Sequence, residues 1–361
     1  MLSRILGALS LLLAASRVAA DASSYHINAI CTCDQLMRWY NWTSGVWQDY
    51  WWESANMMSG LASLSMLDSN YNGTYFDVYA NTFLVAGHTF GYQNFQDEYY
   101  DDEGWWANAW LDVYDLCQNP SYLEMAISLF NDIHASWPTV CGGGVYWRKS
   151  RDYIASIANE LYIHLAAGLA NRVPSDQKQT YLDAATAGWD WFWNSGVVTS
   201  DYFIVDGVNQ TTCQPTGSIY TYNQGVILGA AVELYKATGN STYLDLAGKI
   251  ADAVTTPNST LTSASGILED GCDRQDDCSG DGEQFKGPFI KNLGKLQLVR
   301  NSDQWLNFIT TNAQSIWNHD LNITNNACFV GDYWAGPYEP ADASSQSVGL
   351  DALVAAYAVT K

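Results

Sequence analysis

A short aromatic-led motif returns along this chain at intervals of about sixty residues, and that period constrains the fold more than any other feature. Pro120-Ser-Tyr-Leu-Glu-Met-Ala, Gln179-Thr-Tyr-Leu-Asp-Ala-Ala and Ser241-Thr-Tyr-Leu-Asp-Leu-Ala align by eye, with Tyr122, Tyr181 and Tyr243 separated by 59 and 62 residues. Trp305-Leu306 falls 62 residues further on, and a weaker copy stands at Tyr75-Phe76-Asp77. Ser121, Thr180, Ser241 and Ser302 are placed to cap helices. Apolar residues recur every three or four positions behind them, so each copy predicts an amphipathic helix.

Between the copies lies a second kind of segment, rich in Ala, Gly, Asn and aromatics: Trp51–Leu67, Glu103–Leu116, Ile154–Ala170, Tyr222–Tyr235, Phe285–Val299 and Ser345–Ala358. Small residues on most faces predict helices buried on all sides. These six inner helices alternate with the five repeated outer ones, and His26–Tyr40 supplies a sixth outer helix. Six helical hairpins closing on themselves make an all-α (α/α)6 toroid. An open solenoid would need distinct capping repeats, and none is evident. A length of 361 residues suggests two or three domains at roughly 150 residues each, but the repeat predicts a single domain over residues 21–361.

With 48% hydrophobic and 15% charged residues, the chain has material for a large core. Its 16 basic residues against 38 acidic ones, a net charge of −22, exclude a nucleic-acid partner, whose phosphates would be repelled. The 16 Trp, 23 Tyr and 11 Phe exceed what the core obviously needs, so some are expected on display.

Residues 1–20 read as a signal peptide: Arg4, the apolar run Ile5–Ala15, then Val18-Ala19-Ala20 before cleavage at Asp21. That run is too short to span a bilayer, no later stretch reaches the ~20 residues required, and a freely secreted, monomeric product is expected. Six Asn-x-Ser/Thr sequons, at Asn41, Asn72, Asn209, Asn240, Asn258 and Asn322, fit a glycosylating secretory route. Eight cysteines form an even set that points to disulfides, with Cys272 and Cys278 close enough to staple a loop and the remaining pairing open. The five histidines are scattered, so no metal site is expected.

Asp97, Glu98, Asp101, Asp102 and Glu103 put five carboxyl groups into seven positions, with Tyr99, Tyr100, Trp105 and Trp106 interleaved. Acidic residues favour any solvated helix N-terminus. Here, however, the turn leads into an inner helix whose N-terminal end should face the central cavity. Carboxylates beside aromatic platforms are what glycosidic cleavage requires. A retaining mechanism needs two carboxyl groups about 5–5.5 Å apart, which neighbouring residues at a helix start can meet. Two such groups titrate as a unit, one holding the proton. Spacing alone does not order their roles.

The stretch Tyr100-Asp-Asp-Glu-Gly-Trp-Trp-Ala-Asn-Ala-Trp110 resembles the catalytic signature of glycoside hydrolase family 76, the endo-α-1,6-mannanases. Trp51-Trp-Glu-Ser-Ala-Asn56, Gly142-Gly-Gly-Val-Tyr-Trp147, Tyr222-Asn-Gln-Gly225 and Gln284-Phe-Lys-Gly287 extend the likeness across nearly the whole mature chain. The resemblance implies a retaining enzyme on an (α/α)6 toroid acting by double displacement on α-1,6-mannan or mannooligosaccharides. It makes Asp101 the nucleophile and Asp102 the general acid/base. It also implies an extracellular, cell-wall-associated place of action and no cofactor. A cell-wall mannan transglycosylase using the same covalent intermediate, and a non-catalytic mannan-binding protein, are the alternatives.

Around that pair, Trp52, Trp105, Trp106, Trp147 and Tyr222 are candidate sugar platforms, although most large aromatics serve the core. Asn56, Asn108, Asn159 and Asn223 are poor helix-interior residues that need partners when buried, which sugar hydroxyls could supply. Lys286 is a rare cation on an inner segment; it either pairs with an Asp or helps set the ionisation of the catalytic pair. Gly142–Gly144 reads as a turn carrying Tyr146 and Trp147 towards the cavity, and the acidic run Glu269–Glu283 as an exposed loop.

Overall fold

A computed structural model describes residues 22–275 and 278–361, so the expected signal peptide lies outside the described residues. Outer helices α1 (described from 22 to 37), α3 (Phe76–Val85), α5 (Pro120–His134), α7 (Lys178–Asn194), α9 (Thr242–Thr255) and α11 (Asp303–His319) alternate with six inner ones. The inner helices are α2 (Trp52–Leu67), α4 (Tyr100–Cys117), α6 (Ser156–Ala170), α8 (Thr221–Thr238), α10 (Lys286–Val299) and α12 (Ala343–Thr360). Each inner helix packs on the next, and α12 packs on α2, which closes the ring. The fold is the all-α toroid of six hairpins. None of the helices in the described residues is long and apolar enough to cross a membrane.

The sixty-residue period has a packing cause. The repeated aromatic of each outer helix locks onto the outer helix before it: Tyr122 lies edge-on to Phe83 at 5.2 Å, Tyr181 to Phe130 at 5.1 Å and Tyr243 to Trp189 at 5.1 Å. Trp305 keeps the arrangement by donating its indole N–H to Asp252 at 2.8 Å. Such edge contacts add about 0.5–1.5 kcal/mol each beyond burial. The inner helices use small residues instead. A Cβ on Gly225 of α8 would stand 2.3 Å from the Phe289 Cα of α10, so that crossing exists only with glycine.

The expected hydroxyl caps do not form. Ser241 and Ser302 occupy N-cap positions without a side-chain hydrogen bond, Gln177 rather than Thr180 precedes α7, and Asn119 accepts the Ser121 N–H at 3.1 Å. Asn240 likewise accepts from Thr242 at 3.1 Å. A residue further back, with a longer side chain, reaches the free amides of the first turn better than the hydroxyl beside them.

Short strands decorate the helices: β1 (Tyr40–Asn41) with β2 (Val46–Trp47), β3 (Ile154–Ala155) with β4 (Val205–Asn209) and β5 (Gln214–Ile219), and β6 (Leu321–Thr324) with β7 (Ala327–Val330), all antiparallel. All lie on connections from an outer to an inner helix. The opposite connections are brief, such as Gln118-Asn119 between α4 and α5 and 239–241 between α8 and α9. Long loops and the N-termini of the inner helices therefore share one end of the ring, where functional residues have room to converge.

The cysteines pair as Cys31–Cys328, Cys141–Cys213 and Cys272–Cys278. Cys33 and Cys117 stay free, against the expectation that the even set pairs completely. Cys33 is buried within α1, where its Sγ meets the Tyr75 hydroxyl at 3.1 Å.

Candidate active site

A cavity of about 500 Å³ opens at the loop-bearing end of the ring. Its wall is drawn from the starts of the inner helices: Trp52 of α2, Asp101, Asp102 and Trp105 of α4, Ile157 of α6, Tyr222 of α8 and Phe285 just before α10. The connecting segments add Tyr99, Trp147, Tyr153 and Asp281, together with Ala155 of β3 and Asp206 of β4. Trp52 stacks on Trp105 at 5.8 Å, and Tyr222 on Phe285 at 4.1 Å. In ring order α2 stands opposite α8 and α4 opposite α10, so two aromatic platforms face each other across the cavity, with the carboxyl pair on the wall beside Trp105.

Asp101 and Asp102 occupy the first turn of α4, where backbone N–H groups lack helical partners. Burial raises the Asp101 carboxyl to about 7. The Trp147 indole, donating to its Oδ2 at 3.0 Å, and the backbone amides of Asp101 and Asp102 hold it down from there. Asp102 goes well above the ordinary carboxylate range, first through burial, then through the charges of Asp101 and Asp97 and a hydrogen bond to Asp97. Both carboxyl groups are raised, mainly by burial, and each is raised further by an acidic neighbour, so the dipeptide titrates as a coupled pair.

The loop carrying Trp147 is secured from several sides. Tyr100 N–H donates to the Trp147 carbonyl at 2.8 Å, and Trp147 N–H to the Tyr153 carbonyl at 2.9 Å. Gly144, at φ +75°, lets the loop lie against Trp191, whose ring a Cβ would meet at 2.6 Å. Cys141–Cys213 ties this loop to the β4–β5 hairpin that brings Asp206, and Tyr153 donates to Asp206 at 2.7 Å. Arg148, paired with Asp152, lies 5.2 Å over the Trp147 ring.

Of the residues singled out in the sequence, Asp101, Asp102, Trp52, Trp105, Trp147 and Tyr222 line this cavity together. Asn56 and Asn108 do not. They border a second, polar cavity of about 20 Å³ on the far side of Trp105, with Asp112, His164 and Lys295. Trp106 is fully buried against Phe95 at 4.7 Å. Asn159 is consumed by the fold: it accepts from Val145 N–H at 2.8 Å and donates to the Val145 and Ala155 carbonyls. Asn223 is fully buried. Lys286 is buried in ion pairs with Asp273 and, at 3.2 Å, Asp332, and also donates to the Asp332 carbonyl.

The acidic run is exposed only in part. Asp270 and Asp273 are buried, the latter holding Lys286, and Asp281 reaches the cavity wall, where it accepts the Trp52 indole N–H at 3.2 Å. Asp206 and Tyr153 escaped the residue-by-residue reading because nothing in their own sequence neighbourhoods marks them, while Asp281 and Phe285 lie in stretches that the sequence singles out without assigning them to the site. Pairing of β4 with β5 and the Cys272–Cys278 staple bring two of them in.

A closed ring of helical hairpins with a carboxyl pair and aromatic platforms in one cavity places the chain in the (α/α)6 class of glycoside-processing proteins. The chain belongs to glycosyl hydrolase family 76, whose sequence profile matches residues 14–360. It is 27% identical to the mannan endo-1,6-α-mannosidase DFG5 of Candida albicans over 297 residues, 76% of this chain and 64% of that one. Measured against its fungal relatives, it spans less than two thirds of their length. The α-1,6-mannanase of Salegentibacter sp. superposes with a TM-score of 0.81 at 24% identity, covering 92% of this chain and 98% of that one. An inactive variant of that mannanase, with two consecutive aspartates changed to asparagine and α-1,6-mannotriose bound, superposes with a TM-score of 0.79 at 23% identity. That match covers 93% of this chain and all of the other.

Proposed function

We propose that the chain is a retaining endo-α-1,6-mannanase, secreted to act on cell-wall mannan. The observation that carries this reading is the adjacent carboxyl pair on the wall of an aromatic-lined cavity, with Asp101 accepting the Trp147 indole N–H at 3.0 Å. In the first step Asp101 Oδ attacks the anomeric carbon. The C–O bond breaks with its electrons on the leaving oxygen, which takes the Asp102 proton. In the second, water attacks the glycosyl ester, Asp102 recovers a proton from that water, and Asp101 departs as carboxylate.

Two aromatic platforms in one cavity support internal cleavage, because sugar units must bind on both sides of the broken bond. Three disulfides suit an oxidising compartment. Inactivity of the double-aspartate variant of the Salegentibacter mannanase, with α-1,6-mannotriose bound, supports both the dipeptide and the linkage.

Linear α-1,6-mannan, followed by sizing of the products, tests the reading. Shorter mannooligosaccharides, first released as the α-anomer, are expected. Longer chains would mean transglycosylation, and binding without new reducing ends would mean a lectin-like protein. Asp101→Asn should lose cleavage by at least a thousandfold on the order expected for a nucleophile, with unchanged circular dichroism. Full activity in that variant ends the proposal.

A further inference from the structure

From Trp39 to Trp147 the chain carries no Lys or Arg, so the five acids around the start of α4 have no cation in their own part of the sequence. The first that follow are Arg148 and Lys149, on the loop that bears Trp147. Arg148 turns to Asp152, at 2.9 Å. Lys149 turns to the helices: its ammonium lies 2.8 Å from Glu103 Oε1 on α4, 2.9 Å from Asp132 Oδ2 on α5 and 5.7 Å over the Tyr100 ring. Glu103 is fully buried and follows the carboxyl pair directly in the first turn of α4. Burial pushes its carboxyl up to about 9 against the pull of the ammonium, and an acceptor oxygen faces Lys149 with the proton on or off.

The backbone sets the register of the same contact. Lys149 N–H donates to the Glu98 carbonyl at 2.9 Å and Tyr100 N–H to the Trp147 carbonyl at 2.8 Å, on either side of an antiparallel bridge between Tyr99 and Arg148. The loop therefore grips the start of α4 twice with side chains: the Trp147 indole on Asp101 at 3.0 Å, and the Lys149 ammonium on Glu103. The Cys141–Cys213 bridge and the Gly144 contact with Trp191 secure the loop before Trp147, and Lys149 secures it after.

We infer that Lys149 is a positioning residue for the reaction proposed above: by bridging Glu103 and Asp132 it fixes the loop on the first turn of α4, so that the Trp147 indole N–H stays on Asp101. The inference rests on the nucleophile role given to Asp101 there. Lys149 is not on the cavity wall, so it acts through Trp147 and not on the sugar.

A double-mutant cycle on kcat/KM towards α-1,6-mannan, at one pH on the acid limb where Asp101 ionises, tests this. Lys149→Met keeps the apolar stem and removes the cation. With Trp at 147 it should lose about tenfold, the worth of the indole hydrogen bond to a carboxylate. In Trp147→Phe, where no such bond remains to lose, it should cost less than about twofold. Asp97, Asp102 and the Tyr222 phenol act on Asp101, and Lys149 acts on Asp97. An effect carried by charge alone, or a general loss of stability, would cost the same with Phe at 147. That result, with wild-type enzyme active, overturns the inference while sparing the mannanase reading. If wild-type chain cleaves no mannan, the functional reading fails by itself. The indole N–H resonance of Trp147, identified by its absence from Trp147→Phe, then decides the clamp. Lys149→Met should shift it and speed its exchange with solvent, and an unmoved resonance refutes the inference. Should Lys149→Met not fold, Lys149→Gln removes the charge with a polar end in its place for both measurements.

Discussion

Replacing Trp147 by Phe isolates one hydrogen bond in the proposed chemistry. The indole N–H reaches Asp101 Oδ2 at 3.0 Å, while the ring lies 5.0 Å from Tyr99 and 5.2 Å from the Arg148 guanidinium. Phe keeps an aromatic face for those neighbours and for a sugar but donates nothing. A hydrogen bond to a charged acceptor contributes about 1.5–3 kcal/mol. Trp147 is half-buried, so the lower end applies, and it corresponds to about one pKa unit. Asp101, now held at about 7, should then ionise at higher pH. Because the nucleophile must be ionised, the acid limb of kcat/KM should shift upward by about one unit, with roughly tenfold loss below the limb and little above it. A full pH–rate profile on α-1,6-mannan for both proteins measures this. An acid limb that stays in place while activity drops uniformly would refute the argument and leave Trp147 as a platform alone.

Other consequences follow from charges buried away from the cavity. Glu160 and the half-dozen carboxyls like it, among them Asp320 at about 8, Asp270 at about 7 and Asp351 at about 6, are raised mainly by burial. The folded chain keeps protons that the unfolded chain releases near the ordinary values of 3.8 and 4.5. Stability should therefore fall as pH rises from about 5 to about 8, since the native state binds more protons in that window. Buried His164, lowered to about 3, works in the opposite sense below 6.5, but as one group against several. Thermal midpoints that climb between pH 5 and 8 would contradict the assignment. Lys286→Met should cost about 3–5 kcal/mol by leaving Asp273 and Asp332 without their cation. Part of that loss should recover on acidification as Asp332, raised to about 6 mainly by burial, takes up a proton. A denaturation midpoint equal to wild type would show that the ion pairs are not needed for stability.

The ring was legible because its causes are local and repeated. A tyrosine that must grip the preceding outer helix recurs wherever a hairpin recurs, and an inner helix hemmed in on all sides must be made of small residues whatever its neighbours. The candidate dipeptide stood out for a related reason: five acids in seven positions at the start of an inner helix come interleaved with aromatics. The asparagines were less readable. Asn56, Asn108, Asn159 and Asn223 share composition and helix context, yet one clamps a loop, two border a separate polar cavity and one is fully buried. Each residue along a helix turns by about 100°, so a small difference in rotation changes what a side chain meets.

Sequence by itself determined the alternation of outer and inner helices and the place of Asp101-Asp102 at a helix start, because hydrophobic periodicity acts over a few residues. Only tertiary structure decided which carboxylates share the cavity and which cysteines pair. Asp206 and Asp281 arrive from loops more than a hundred residues beyond the pair, and Cys31 meets Cys328 across a separation of 297. Such meetings depend on how the whole ring closes, and no local pattern of residues encodes that distance.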